Sequence, residues 1–279
     1  MNVATIQTCL QRASELSEIS DSARFDVELL LCHVLDCDRS YLFTWPEKSL
    51  TAEQLQQFDV LLHQRLEGRP VAHLLGTREF WSLPLQVNDS TLIPRPDTEV
   101  LVEQVLALTL PADAKILDLG TGTGAIALAL ASEQPRWQIT AGDFSRDAVA
   151  LAQANARQLG LSNVRVLRSD WFAAVDGEQF DVVVSNPPYI DPADPHLQQG
   201  DVRFEPASAL VADDEGFADL FYIASKALTF LNPRGWLLLE HGFEQAGRMR
   251  EKLQQLGYDS VVTLRDYGGN DRVTLGRRP

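Results

Sequence analysis

The stretch VVVSNPPYI, residues 182–190, places an amide and a phenol on either side of two consecutive prolines. A Val-rich run is typical of a central strand in a parallel sheet, and proline cannot donate the ladder hydrogen bond that would continue it. The strand should therefore end at about Ser185 and hold the next four residues at its carboxyl end, where open α/β sheets bind ligands. Asn-Pro-Pro is also a common turn, so the stretch alone does not decide between a site and a turn.

These residue types suit the alkylation of a planar NH2 group. An amide nitrogen is a poor nucleophile because its lone pair is delocalised into the carbonyl group. We expect Asn186 to accept one N–H hydrogen and a backbone carbonyl of Pro187 or Pro188, held by the locked proline φ, to accept the other. Tyr189 would offer a flat face on which a substrate amide stacks. All four are predicted substrate-binding residues, and Asn186, Pro187 and Tyr189 are the predicted catalytic ones.

A second candidate site is ILDLGTGTGAIALAL, which places three glycines between a strand and a helix. Glycine lets the backbone approach a ligand closely, and the helix N-terminus adds free N–H groups. The loop also satisfies the G-x-G-x-x-A dinucleotide fingerprint, with Asp143 about 20 residues further on for ribose hydroxyl groups, so a nicotinamide enzyme is an open alternative. The predicted cofactor-binding residues of this loop are Gly120, Thr121, Gly122, Thr123 and Gly124.

Three further positions favour S-adenosylmethionine as the cofactor. Asp118 would place a carboxylate beside an amino-acid ammonium group, which the nicotinamide dinucleotides lack. The sequence RSDW offers Asp170 to the exocyclic amine of an adenine and Trp171 to its face. Asn186 follows the fourth strand, beside the expected position of the cofactor's methyl group, and is predicted to contact the cofactor as well. The joint occurrence of these residues on four successive strand ends is more specific than any one of them.

The sequence resembles the PrmC/HemK family, the protein-(glutamine-N5) methyltransferases of peptide-chain release factors. The resemblance covers nearly the whole chain through EGRPVAHLLGTREFW, LIPRPDTEVLVE, DLGTGTG, NPPYI and RFEP. Asn-Pro-Pro-Tyr alone is shared with DNA adenine methyltransferases, but the combination with IPRPDTE and RFEP is narrower. The resemblance implies methyl transfer to the glutamine of the Gly-Gly-Gln motif in class 1 release factors. His73 stands where many relatives have an aromatic residue.

The elements that would position these residues divide the chain into three predicted parts. Apolar residues recur at helical spacing in residues 1–74, which predicts a small helical domain. Because one glutamine offers too little surface to select a protein, we expect this domain to recognise the release factor that the resemblance implies as the substrate. Residues 75–95 alternate apolar and polar side chains around VNDS, which predicts a β-hairpin linker. Residues 96–279 alternate strands and helices and end in two strands joined by GGN. This alternation predicts a doubly wound α/β sheet that ends in a C-terminal antiparallel hairpin. The resemblance implies that the domain is a class I methyltransferase domain, a Rossmann-like fold with a mostly parallel seven-stranded sheet.

Composition and charge narrow the classes of partner. The chain has 279 residues, of which 39 are acidic and 24 basic, and a net charge of −15. Phosphate backbones require a basic stripe, so we expect no direct binding of nucleic acid. No apolar run reaches the roughly 18 residues of a membrane span, and the first residues lack the pattern of a secretory signal. A cytoplasmic location is therefore expected, and we expect the chain to act as a monomer.

The three cysteines predict neither a disulfide framework nor a metal site. Cys9, Cys32 and Cys37 are odd in number and lie in the predicted helical region, as reduced cytosolic thiols do. Cys32, His33 and Cys37 could contribute metal ligands, but no second cluster completes a four-ligand site. We therefore expect no metal.

Several charged residues have two open interpretations each. Arg95 and Glu99 in PRPDTE could close over the cofactor or hold the linker, and Glu205 in RFEP could line a substrate channel or anchor its loop. His241 follows a buried strand and is interpreted as a satisfied core histidine.

Two other functions stay open from the residues alone. The NH2 chemistry equally suits an exocyclic amine of a nucleic-acid base of the N6-adenine type, although the acidic charge counts against that substrate. A regulatory cofactor-binding module is the second alternative, but such a module has no need of an Asn-Pro-Pro-Tyr segment.

Overall fold

The computed structural model describes residues 4–279, which cluster into two compact units. The first, named the helical unit below, comprises the described residues up to Thr77 together with Pro195–Phe204. The second, named the sheet unit, comprises Arg78–Asp194 and Glu205–Pro279. The predicted three-part division of the chain stays a prediction, and its first three residues lie outside the described part.

The helical unit contains five α-helices that pack their apolar faces on a common core around Leu30, Phe58 and Leu62. Its helices are α1 (Ile6–Gln11), α2 (Ala23–Leu35), α3 (Arg39–Thr44), α4 (Ala52–Leu66) and α5 (Val71–Leu75). Helix α4 begins with a capping box, in which the side chains of Thr51 and Gln54 each accept a hydrogen bond from the other's backbone N–H. These contacts satisfy N–H groups that have no partner inside the helix.

A buried arginine in the helical unit binds both of its stretches of chain. Arg65 is 4% exposed, and its Nε donates to Asp26 Oδ2 at 2.8 Å. Its Nη1 donates to Asp201 Oδ1 at 2.8 Å, and Asp201 lies in the 3₁₀ turn Gly200–Phe204. A buried guanidinium group is costly unless its N–H groups find acceptors. The segment that follows the Asn-Pro-Pro-Tyr motif thus supplies one of the acceptors of Arg65.

A β-hairpin lies within the range predicted to be a linker, but its turn is not at VNDS, and the role of residues 75–95 as a linker stays a prediction. Strands β1 (Thr77–Phe80) and β2 (Leu83–Gln86) meet at Trp81 and Ser82, whereas the alternation in the sequence placed the turn at VNDS. Both turn residues have positive φ, 53° and 58°, as a two-residue turn that matches the strand twist requires. Contacts of Trp81 support this backbone, because its N–H donates to Glu99 Oε1 at 2.9 Å and its indole Nε1 to Glu133 Oε1 at 2.8 Å.

A seven-stranded sheet forms the centre of the sheet unit. Its strands are β3 (Lys115–Leu119), β4 (Gln138–Asp143), β5 (Val164–Arg168), β6 (Phe180–Ser185), β7 (Leu231–Glu240), β8 (Asp259–Arg265) and β9 (Asp271–Arg277). They lie in the order β5-β4-β3-β6-β7-β9-β8, parallel from β5 to β7, with β9 antiparallel to both of its neighbours. The predicted fold class is confirmed, and β6 ends at Ser185 as the prolines require.

Helices cover both faces of this sheet. They are α6 (Glu99–Ala107), α7 (Ala125–Glu133), α8 (Arg146–Gln158), the short turn α9 (Asp213–Gly216), α10 (Ala218–Phe230) and α11 (Ala246–Gln255). Successive residues of β3 point to opposite faces, so Ile116 belongs to the core under α6 and α7, and Leu117 to the core under α10 and α11. Within residues 4–279, no helix has the length and apolar character needed to cross a membrane.

The order of the strands brings two predicted sites to one edge of the sheet. The connections run outward in opposite directions from β3 and β6, and the gap between such strands is where open α/β sheets bind ligands. Leu119 pairs with Ser185, and the Ser185 hydroxyl donates to the Leu119 carbonyl at 2.7 Å. The glycine loop and the Asn-Pro-Pro-Tyr segment therefore start side by side.

Candidate active site

A cavity of about 480 Å³ lies where β3, β4, β5 and β6 end, a volume within the range of small-molecule sites. The predicted residues that line it are Gly120, Thr121, Gly122, Thr123, Asp143, Asp170, Trp171, Asn186 and Pro188. Asp118, Gly124, Pro187 and Tyr189 are not among its lining residues. The structure thus brings most of the predicted site residues to one cavity. The other four are close to lining residues in the sequence.

The glycine loop adopts a backbone that favours glycine at three positions. Gly120, Gly122 and Gly124 have φ of 68°, 55° and 87°. The N–H groups of Gly120 and Thr121 donate to the Gly142 carbonyl at 2.9 and 3.0 Å, which ties the loop to the end of β4. A methyl group on Gly120 would lie 3.7 Å from the Trp171 ring. The bare backbone therefore leaves room between the loop and this ring.

Asp118 is a completely buried carboxyl group at the end of β3. Its Oδ2 accepts a 2.6 Å hydrogen bond from the Thr121 hydroxyl, while Oδ1 has no hydrogen-bond partner within the part of the chain that the structure describes. Burial, with a smaller contribution from the charge of Asp143, raises the pKa of Asp118 to about 7. A buried acceptor without a partner is costly and suits a ligand that brings a cation or a donor.

Asp143 ends β4 and organises the loop through backbone contacts. Its Oδ2 accepts a hydrogen bond from the Gly122 N–H at 2.9 Å, and its Oδ1 accepts one from the Ser145 N–H at 2.9 Å. A carboxylate oxygen can accept a further hydrogen bond. Asp143 can therefore bind ribose hydroxyl groups while it holds Gly122, and burial raises its pKa.

Trp171 forms another part of the cavity lining, with Asp170 exposed beside it. The backbone of Trp171 is left-handed, with φ of 47°. Ser169 stabilises this turn, because its hydroxyl donates to the Trp171 carbonyl at 2.6 Å and accepts from the Ala174 N–H at 3.0 Å. The turn sets an indole face in the lining, as an adenine ring would require.

The Asn-Pro-Pro-Tyr segment presents Asn186 and Pro188 to the cavity, while Pro187 is buried. The Asn186 amide donates from Nδ2 to Thr98 Oγ1 at 3.2 Å. Tyr189 packs against the core under α10 and α11, and its hydroxyl donates to Glu240 Oε1 at 3.3 Å. The predicted stacking of a substrate on Tyr189 stays a prediction, as do the roles of the three residues before it.

The sequence-based interpretation missed several residues of the site. Thr91 and Phe144 line the cavity; the Thr91 hydroxyl is buried and, among residues 4–279, without a hydrogen-bond partner, and the Phe144 ring is 66% exposed. Asn155 of α8 is buried and donates to the Thr123 carbonyl at 2.9 Å, which supports the glycine loop from behind. No local motif marks these residues, since they come from separate elements.

The structure shows the contacts of the charged residues whose roles the sequence left open. Arg95 Nη2 donates to Glu205 Oε2 at 2.6 Å, and Glu205 Oε1 accepts from the Ile93 N–H at 2.9 Å. Glu205 thus anchors its loop to PRPDTE, while Arg95 also lines the cavity. Glu99 binds the linker at Trp81. His241 is fully buried, with Nδ1 donating to the Gly242 carbonyl at 2.8 Å and Nε2 bonded to Thr274 Oγ1 at 2.7 Å. Its interpretation as a satisfied core histidine is confirmed.

In the described ranges no group of three or more His, Cys, Asp or Glu residues could hold an ion. Cys9, Cys32 and Cys37 are free thiols, and burial raises the pKa of Cys32 to about 11.

Comparisons with known proteins agree with this arrangement. Two family models match the chain, the PrmC N-terminal domain over residues 8–76 and the methyltransferase small domain over residues 96–214. The release factor glutamine methyltransferase of Shewanella oneidensis is 59% identical over 276 residues, which cover 97% of this chain and 96% of that protein. The protein of the same description from Escherichia coli strain K12 is 55% identical over 271 residues, covering 97% and 98%.

Among solved structures, a methyltransferase from Pyrococcus furiosus shares the fold. Its TM-score is 0.54 at 20% identity, and the match covers 77% of this chain and 96% of that one. An identity this low shows the fold alone.

Proposed function

The chain belongs to the family of release factor glutamine methyltransferases, and on this premise we propose that it methylates the glutamine of the Gly-Gly-Gln motif in class 1 release factors. The methyl donor is S-adenosylmethionine, and the acceptor is the side-chain amide nitrogen. We further propose that it acts in the cytoplasm, because the translation factors that it would modify work there. We also propose that it acts as a monomer.

One observation carries this chemistry. Asn186 lines the same cavity as the glycine loop and Trp171, and its neighbour Ser185 is paired with the strand that carries Asp118. A group that binds amide hydrogens thus lies in the cavity that the cofactor-binding residues form. A protein that only bound the cofactor would not require the Asn-Pro-Pro-Tyr residues in the same cavity.

The residues present fit S-adenosylmethionine. Asp118 would hold its ammonium group, Asp143 its ribose hydroxyl groups, and Asp170 and Trp171 its adenine. When bound, the cofactor supplies an electrophilic methyl group on a positively charged sulfur. Asp118 Oδ1 is buried and has no hydrogen-bond partner of full geometry among residues 4–279. This acceptor favours S-adenosylmethionine over a nicotinamide dinucleotide, which has no amino-acid ammonium group.

The Asn-Pro-Pro-Tyr segment would orient the nucleophile. Asn186 Oδ1 accepts one hydrogen of the glutamine NH2 group, and a carbonyl of the Pro187-Pro188 segment accepts the other. Both contacts would point the nitrogen toward the cavity. Holding the reacting atoms in line at about 3 Å accounts for most of the rate enhancement that these residues can provide. A separate base is unnecessary, since the nitrogen becomes acidic once it is alkylated.

A methyl-transfer assay with labelled S-adenosylmethionine tests the proposal. The full-length chain should label a class 1 release factor and fail to label the same factor with alanine in place of the Gly-Gly-Gln glutamine. DNA with unmethylated adenines is the control substrate for the base-methylating alternative. Labelling of DNA, or equal labelling of the glutamine-free factor, would contradict the proposed function.

The helical unit is proposed to contact the body of the release factor. A single glutamine offers little area, whereas specific protein pairs bury about 1,600 Å² in total. Phe43 and Trp45, at the end of α3, are each 57% exposed, and exposed aromatic side chains often mark protein interfaces. The F43A/W45A variant should lose kcat/KM on the intact factor but not on a Gly-Gly-Gln peptide. Val262→Ser, in an exposed position on β8, is the control and should affect neither.

A further inference from the structure

Gln245 is a buried carboxamide on the loop that follows β7. It ends the 3₁₀ turn Phe243–Gln245, directly before α11, and is 9% exposed. Its Oε1 accepts a hydrogen bond from the Gly242 N–H at 2.8 Å, which caps the turn. Its Nε2 donates to the Tyr189 carbonyl at 3.0 Å and to the Glu215 carbonyl at 3.4 Å. The described hydrogen bonds of this side chain therefore go to the backbone of three separate segments.

Capping does not account for the amide nitrogen of Gln245. Glutamate at this position accepts the same N–H as glutamine does, so either residue completes a cap. Only glutamine also brings an NH2 group, whose two hydrogens match the two carbonyl oxygens of Tyr189 and Glu215. A carboxylate would instead place a further acceptor beside them. The residue type thus indicates a contact to Tyr189 that the cap does not need.

This contact holds the backbone immediately after the two prolines. The N–H groups of Tyr189 and Ile190 both donate to the Leu210 carbonyl, at 3.2 and 2.9 Å. With the Tyr189 carbonyl on Gln245, both peptide groups that flank the Tyr189 Cα are bonded. The peptide is trans and planar, so the Pro188 carbonyl points opposite to the Tyr189 N–H and away from Leu210. The anchored Tyr189 backbone therefore fixes the direction of the Pro188 carbonyl.

A glycine leaves room for the Tyr189 carbonyl. Gly216 is the last residue of α9 and has φ of 82°. A methyl group there would overlap the Tyr189 carbonyl oxygen and lie 2.9 Å from Gln245 Nε2. A residue with a side chain would fit only if one of these two groups moved. The Tyr189 carbonyl thus lies where Gln245 binds it and where glycine alone leaves space.

We propose that Gln245 is a positioning residue for the Asn-Pro-Pro-Tyr segment. By holding the Tyr189 backbone, it keeps the Pro188 carbonyl and Asn186 in the directions that the glutamine NH2 group requires. The locked φ angles of both prolines leave few rotations by which these groups could adjust independently of Tyr189. The inference rests on the proposed function, since it concerns the orientation of that substrate. Gln245 is not among the described residues that line the cavity, so it acts through Tyr189.

Gln245→Glu removes the donor and keeps the cap. At saturating cofactor and release factor, Q245E should lower the single-turnover rate by at least about tenfold, because small displacements of a positioned group have effects of this size or larger. Its affinity for S-adenosylhomocysteine should not change, because the glycine loop keeps its contacts. A smaller decrease in rate would overturn the inference, as would a loss of cofactor affinity parallel to the loss of rate.

Gln153→Glu is the matched control. Gln153 of α8 also binds backbone through its amide, donating from Nε2 to the Val166 carbonyl at 3.2 Å, and it is not among the described cavity-lining residues. Q153E makes the same change of charge and loses the same kind of hydrogen bond. Its rate should stay within about twofold of wild type, as for most substitutions away from a site. A decrease equal to that of Q245E would overturn the inference, because it would show a general effect of lost amide-to-carbonyl bonds.

Gly216→Ala tests the Tyr189 carbonyl without changing Gln245. The added methyl group would displace the carbonyl or Gln245 Nε2, so G216A should lower the rate as Q245E does. Gly257→Ala is its control, because Gly257 has φ of 90° and no described atom apart from its chain neighbours lies within 4 Å of the added methyl group. Both variants should lose stability through the positive φ, but G257A should keep the wild-type rate. Equal rates in G216A and G257A would overturn the inference.

Hydrogen exchange distinguishes failure of this inference from failure of the proposed function. The backbone amides of Tyr189 and Ile190 should exchange faster in Q245E and G216A than in wild type, Q153E and G257A, because the contact that holds the Tyr189 carbonyl is lost. This measurement needs no methyl transfer. A wild-type chain that fails to label release factor would contradict the proposed function, whereas equal exchange in all of these chains would overturn the hold of Gln245 on Tyr189.

Discussion

The glycine loop and the Asn-Pro-Pro-Tyr segment begin side by side on β3 and β6, yet different parts of the chain hold them. The loop, residues 118–124, is shaped by its own backbone, with positive φ at three glycines and nearby carboxylates of Asp118 and Asp143. The Asn-Pro-Pro-Tyr segment depends on side chains from distant elements, namely Thr98 before α6 and Glu240 at the end of β7.

This difference separates binding from turnover. The glycine loop, which is shaped by its backbone and by nearby carboxylates, can bind a cofactor before any substrate arrives. The Asn-Pro-Pro-Tyr segment would bind the nucleophile, so its defects should appear in the rate at saturating cofactor and substrate. Substitutions on the two sides should therefore change different measured quantities.

The largest effect is expected for Asn186→Ala. The variant removes an acceptor for the glutamine NH2 group, and loss of one preorganised polar contact typically lowers the rate about 100-fold or more. The affinity for S-adenosylhomocysteine, measured by calorimetry, should stay within about threefold of wild type. A variant that kept more than about a third of wild-type turnover would contradict the proposed role of Asn186.

Asp143→Ala should show the opposite pattern. It removes the acceptor of the Gly122 and Ser145 N–H groups together with the proposed ribose contact. Hydrogen bonds to charged groups contribute about 1.5–3 kcal/mol, so the affinity for S-adenosylhomocysteine should weaken about 10-fold to 100-fold. The single-turnover rate at saturating cofactor should change much less. An unchanged dissociation constant in calorimetry would remove Asp143 from the cofactor site.

The affinity for S-adenosylhomocysteine should depend on pH through Asp118. Its raised pKa of about 7 means that the unliganded carboxyl group is mostly protonated below pH 7 and ionised above it. A ligand ammonium group prefers the ionised form, so the affinity should rise about tenfold from pH 6 to pH 8 and then level off. Asp118→Asn should bind weakly with little pH dependence. Equal pH profiles for the two proteins would contradict the contact between Asp118 and the ammonium group.

The smallest effect concerns the backbone of the loop itself. Gly124→Ala would combine φ of 87° with a contact of 3.0 Å to Leu128 Cδ1, so it should lower the free energy of unfolding by about 1–3 kcal/mol. Gly247→Ala in α11 is the control, because no described atom outside the adjoining helix backbone lies within 4 Å of the added methyl group, and it should raise the free energy of unfolding by about 0.4–1 kcal/mol. Denaturant unfolding measures both, and equal changes would show that the loop tolerates a side chain.

The same contrast explains what could be predicted from the sequence. The glycine loop lies within a few residues of Asp118, so a short motif carries its geometry, and the prolines correctly predicted where β6 ends. The hairpin turn was misplaced because Trp81 and Ser82 carry positive φ without glycine or asparagine, supported by contacts to distant side chains. Thr98 contacts Asn186, and Glu240 contacts Tyr189, only through the packing of separate elements, so no spacing in the sequence indicates them.

The contact between Arg65 and Asp201 has a consequence for the order of events during synthesis. Arg65 can bind Asp26 as soon as α4 forms, but its second carboxylate partner lies 136 residues further along the chain. At about 5–20 residues per second, the ribosome needs roughly 7–27 s to supply it. The helical unit is N-terminal in position but late in completion, because its last ion pair forms only after the glycine loop and the Asn-Pro-Pro-Tyr segment have been synthesised.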